Sequence, residues 1–223
     1  MRLFAFLMLL VAAAVPAAAQ PPAGTLEAMR RDFPLDHQPL AATLAGKTPE
    51  EARRLAYAGI ERFLRSRRAA ILAAPRASLL ALEARQGALL RALAKQDVAL
   101  CANVGDRGFF SSQALTGAAP VGLDEYGIAL VEAAKAGSTA AAATPAGTDK
   151  EDFSAWMAAV ERIEPDVPVR SMLLDRKVRL ASSPDHLCRG AAAMHEAVAS
   201  LPPARAERLS RTLLGYVIGS PAP

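Results

Sequence analysis

Apolar residues along this chain recur at three- and four-residue intervals, the spacing that gathers side chains onto one face of an α-helix. The clearest case is "KTPEEARRLAYAGIERFLRSRRAAILAAP", residues 47–75, where Ala52, Leu55, Ala56, Ile60, Phe63, Leu64 and Ile71 form a single stripe. Thr48 is a good N-cap, Pro49 suits the first helical position, and Glu51 completes a capping box three residues after the cap. Pro75 ends the run, because the residue before a proline resists the helical region.

The same periodicity continues through the chain. "SLLALEARQGALLRALAKQ" carries Leu79, Leu82, Leu89, Leu90 and Leu93, with Ser78 as a cap and an all-round apolar start that predicts deep burial. Asp97 caps a short helix holding Val98, Leu100 and Cys101, and residues 123–135 predict a helix weakened by Gly127. Thr148 with Glu151 repeats the capping box ahead of Phe153, Trp156, Met157, Val160 and Ile163. A helix over 169–182 follows Pro165 and Pro168, and Ser183-Pro184 opens another that runs through Cys188 to about Ser200. Pro202 and Pro203 divide it from a final helix bearing Leu209, Leu213, Leu214, Val217 and Ile218.

Between these elements, 105–122 is rich in glycine and reads as loop, and 136–148 is a low-complexity connection. Residues 20–46 are Pro-rich and predict an extended N-terminal arm, with "TLEAMRRDF" its one helical stretch. No segment alternates convincingly enough for a strand, and no repeat of fixed period occurs. The expected fold is all-α, a compact irregular bundle of about seven helices, with 47–219 as a single helical domain.

The first residues change the compartment. "MRLFAFLMLLVAAAVPAAAQ" places Arg2 ahead of an uncharged apolar run, then Pro16 and the small residues Ala17, Ala18 and Ala19. That is the pattern of a signal peptide over 1–19, cleaved near Ala19, and the run is short for a membrane span. Arg far outnumbers Lys and Asn is nearly absent, a composition associated with GC-rich bacterial genes. The expected location is periplasmic or secreted.

Export in turn changes the reading of the two cysteines, Cys101 and Cys188. In an oxidising compartment a lone pair is expected to join, here across 87 residues by sequence difference. Such a bridge stabilises by roughly 4.5 kcal/mol at best on loop-closure entropy. It would also tie the N-terminal helices to the last ones across the low-complexity run.

Charge is unevenly placed. Residues 47–95 hold eleven basic and four acidic side chains, whereas 96–173 hold five and eleven. On the first long helix Arg54, Arg65 and Arg68 share nearly one azimuth, since eleven residues make close to three turns. They form either a contact face for an anionic membrane surface or acidic envelope protein, or an ordinary solvated face. Nucleic acid is disfavoured by export and by the lack of interleaved aromatics.

Chemistry is sparse. His37, His186 and His195 are scattered, no metal-binding spacing or nucleophile motif occurs, and no cofactor is implied. Cys188 and His195 share a helix face but lie about 10 Å apart along the axis, too far for a thiolate-imidazole pair. "GDRG" at 105–108 reads as a turn before a phosphate clamp, and Glu161 with Glu164 as a solvated face before a carboxylate pair. Phe153, Trp156, Met157 and Val160 read as core first and as a ligand-pocket wall second. The leading expectation is a protein acting by contact in the bacterial envelope, as inhibitor, adaptor or assembly factor. The alternatives are a carrier of an apolar ligand between helices and an enzyme with an unrecognised site.

Overall fold

A helix begins where a side chain satisfies its first backbone N–H groups. The computed structural model, which describes residues 23–108, 122–139 and 147–219, has twelve helices and no strand among the described residues. In chain order they are α1 (Ala23–Asp32), α2 (Pro34–Leu44), α3 (Pro49–Ser66), α4 (Arg68–Ala73), α5 (Arg76–Gln96), α6 (Val98–Arg107), α7 (Leu123–Thr139), α8 (Lys150–Ile163), α9 (Val169–Leu174), α10 (Arg176–Ala181), α11 (Pro184–Val198) and α12 (Pro203–Ile218). Of these, α3, α6, α8, α10 and α11 each start on such a cap. The expected all-α architecture is the one found.

Three of the expected starts hold. Thr48 Oγ1 accepts the Glu51 N–H at 3.4 Å while the Glu51 carboxylate accepts the Thr48 N–H at 3.2 Å, the two halves of a capping box. Asp97 caps α6 and Ser183 caps α11 through their side-chain oxygens. Two starts differ, by one residue and by three. The box before α8 is made by Asp149 with Asp152 rather than by Thr148, whose hydroxyl reaches Thr212 of α12 instead. Ser78 lies inside α5, which begins directly after Pro75.

The helix count exceeds the expected seven because two runs break and the arm folds. At Arg67 the backbone turns to φ −98°, ψ 7°, separating α3 from α4, and Asp36 and the Phe33 ring hold the guanidinium. Asp175 is extended and accepts the Lys177 N–H at 2.7 Å, so it caps α10 and ends the run that began as α9.

The proline-rich segment is not an extended arm: its described residues form α1 and α2. The N-terminus of α1 is capped from a distance, with Asp124 of α7 accepting the Gly24 N–H at 2.8 Å and the Thr25 N–H at 2.7 Å. Ala28 and Met29 are buried, and Asp32 pairs with both Arg31 and Lys135. Residues 136–139 are the last turn of α7 rather than connection. The signal peptide expected at 1–19, and the parts of the expected loop and connection at 109–121 and 140–146, lie outside the described residues.

Core packing has two centres. The larger gathers Tyr57, Ile60, Phe63, Ile71, Leu79, Leu90, Tyr126 and Leu130 around α5, against which α6, α7, α11 and α12 all pack. The smaller gathers Trp156, Met157, Val160, Val169, Met172 and Leu209. Helix α11 serves both: Ala191 and Ala192 belong to the first, Ala193, Ala197 and Val198 to the second. The alanines among these positions let α5 and α8 each pack closely against α11. Cys101 of α6 and Cys188 of α11 are joined by a disulfide, with Cα atoms 5.3 Å apart and both residues buried. No described helix is long and apolar enough to cross a membrane.

Candidate functional site: an apolar cavity between the helices the disulfide joins

Beside the bridge, α6 and α11 contribute small residues to one shared space: Ala102, Gly105, Gly190 and Ala191 line it, with Gly105 against Ala191 and Gly190 against Met172. Helices α8, α9 and α12 close the space from the other side with Trp156, Met172 and Leu213, leaving a cavity of about 250 Å³. Its floor is tight. A Cβ on Gly105 would meet that of Ala191 at 2.7 Å, and one on Gly190 would meet the Met172 methyl at 2.9 Å. The first contact is rigid, so the close approach of α6 to α11 needs glycine at 105, whereas the Met172 methyl can swing aside at 190.

The walls are apolar because their polar atoms are already used. Trp156 Nε1 donates to the Met194 carbonyl at 2.8 Å, and the Thr212 hydroxyl is engaged with Thr148. Met172 and Met194 contribute flexible, polarizable thioethers that adapt to an irregular occupant. Polar character is confined to the rim, where Asp106 and Arg179 pair at 3.8 Å, both partly exposed. Leu173 and Tyr216 also stand at the rim, Tyr216 with 66% of its surface exposed. No histidine or free thiol lines this space, and among the described residues no group of three donors could hold a metal ion.

The residues singled out from sequence are dispersed. Arg54 is exposed, Arg65 pairs with Glu61 at 2.6 Å, and Arg68 lies past the helix break, donating to the Gly215 carbonyl at 3.3 Å. The shared azimuth thus ends at Arg67. Glu161 and Glu164 do not converge: Glu161 takes Arg170, while Glu164 takes Arg91 and Arg189. Burial pushes the Glu164 carboxyl up, but hydrogen bonds from Arg189 and Arg91 outweigh it and hold the group below its ordinary range. "GDRG" closes α6, with Gly108 at φ +87° as its C-cap. Of the stripe on α8, Met157 and Val160 are core and Trp156 both packs in the core and faces the cavity.

One polar cluster had no signal in the sequence. His195 Nδ1 and Glu83 Oε2 lie 2.6 Å apart, each side chain almost fully buried between α5 and α11. Burial raises the Glu83 carboxyl, and the neighbouring His195 opposes that rise. The contact requires one proton between the two groups. Tyr126 donates to Gln86 Oε1 at 2.7 Å one turn away, its hydroxyl kept protonated by burial. These residues are sealed in the core, and none of them lines the cavity. No known protein family, curated protein or solved structure matches the chain.

Proposed function

We propose that this is an exported protein that binds the apolar tail of a ligand in the cavity between α6, α8, α9, α11 and α12. The observation carrying the reading is the cavity itself, with walls of Trp, Met and Leu and polar groups only at its rim. Export is supported by the leader pattern at 1–19 and by a buried disulfide, the bond of oxidising compartments. The location proposed is the periplasm or beyond, after cleavage near Ala19.

A space of 250 Å³ accommodates about eight groups of water or methylene size. At about 0.8 kcal/mol per buried methylene, a filling tail gains at most about 6 kcal/mol, a Kd in the tens of micromolar. The test is a series of straight-chain alkyl ligands displacing a fluorescent naphthylamine probe. Affinity should rise about fourfold per methylene and level off near eight carbons. Leu213→Trp, which fills the cavity from α12, should abolish binding with helical content unchanged. Affinity independent of chain length, or undiminished in Leu213→Trp, refutes the reading. Intact mass of protein from the periplasmic fraction should place its first residue at Gln20.

A further inference from the structure

The rim of the cavity continues into a surface of unusual composition. Helix α9 buries Val169 and Met172 inward, yet α9 and α10 leave Leu173, Leu174 and Leu180 exposed at 39%, 71% and 71%. Three leucines held in water on two adjacent short helices are not needed for the core beneath them, because Val169, Met172 and Val178 already pack there. An exposed apolar cluster beside a ligand cavity marks a contact surface.

Charge on the same surface selects the partner. The segment 169–182 carries four basic side chains and one acidic. Arg170 is paired with Glu161 and Arg179 with Asp106, and among the described residues Arg176 and Lys177 have no ion-pair partner. Every Asp and Glu of the sequence lies within the described segments, so no acidic side chain elsewhere is left to cover them. On α10 Arg176 and Lys177 stand one turn from Leu180, on one helix face. Leucine flanked by unpaired cations is the composition that enters the headgroup boundary of an anionic bilayer, with the leucines in the acyl region and the cations on phosphates.

We propose that the outer face of α9 and α10 docks this protein onto an anionic lipid bilayer, with the cavity mouth facing the acyl chains. The docking stands on this surface alone; only its use for loading the cavity rests on the tail-binding reading above.

Sedimentation with vesicles tests it, using the chain from Gln20, which retains every described residue. The protein should bind vesicles containing phosphatidylglycerol and not vesicles of phosphatidylcholine alone. Each cation is worth about fivefold in affinity at a charged surface, so Arg176→Gln with Lys177→Gln should weaken binding about twenty-five-fold. Leu174→Ser with Leu180→Ser should weaken it by about tenfold or more. All four residues are exposed, so thermal unfolding should be unaltered. Leu213→Trp separates the two proposals, since it should lose the alkyl probe and keep vesicle binding. Equal binding to both vesicle types overturns the docking, as does binding that only Arg54→Gln with Arg65→Gln reduces. A dimer dispersed by the leucine variant overturns it too, because the patch would then belong to a second copy of the chain.

Discussion

At the scale of single residues, Asp152 shows how a side chain can serve two helices at once. It is fully buried, completes the capping box of α8 with Asp149, and accepts from both Arg205 and Arg208 of α12. The Arg208 hydrogen bond, with that of Arg205, outweighs burial and holds its carboxyl at about 2. A depressed carboxyl contributes stability above its unfolded value, near 3.9, and loses it as pH falls through the folded value. The contribution is about 2 kcal/mol at neutral pH. Asp152→Asn should therefore lower stability by about that amount at pH 7 in urea unfolding. It should also flatten the stability curve between about pH 4 and pH 2. An unchanged acid limb in the variant would assign the acid sensitivity elsewhere. The pairing was invisible in the sequence, since an Asp three residues after another reads only as a cap, and its arginines lie 53 and 56 residues away.

At the scale of elements, local signals were legible and remote ones were not. Thr48-Pro49-Glu51, Asp97 and Ser183-Pro184 declare their helices because the bonds they make span three residues. The helical arm escapes a local reading because the cap seen on α1 comes from Asp124, about a hundred positions later. The break at Asp175 was legible in principle, as an N-cap residue type in the middle of a helical run. Helix α7 carries a further long-range constraint at Gly137. A Cβ there would overlap the backbone carbonyl of Ala70, so α4 and α7 cross with their main chains in contact. Gly to Ala inside a helix ordinarily stabilises by up to about 1 kcal/mol. Here the overlap should reverse the sign, and Gly137→Ala should cost about 1–3 kcal/mol in thermal or urea unfolding. A stabilised variant would show that the crossing is looser than drawn.

At the scale of the molecule, the disulfide and α11 hold the two core centres in register. Cys101 and Cys188 were legible as a pair from compartment chemistry alone, which needs no coordinates. The cavity beside them was not, because it arises from five helices whose facing residues are far apart in sequence. Among the wall residues the periodicity drew attention to Trp156 and Leu213, and Trp156 serves as core and wall together. Replacing both cysteines by serine removes a link across 87 residues. That should lower stability by up to about 4 kcal/mol, measured by urea unfolding. Adding a reductant to the unaltered protein should give a similar loss, and no loss in either case would make the bridge dispensable.

The remote cap on α1 also orders events in time. A ribosome releases the N-terminus first, so α1 emerges before Asp124 has been made, and Cys101 before Cys188. Neither closure can form until most of the chain exists. Both long-range links therefore close only once the later half of the chain has been made, and until then α1 and α6 wait for their partners on α7 and α11.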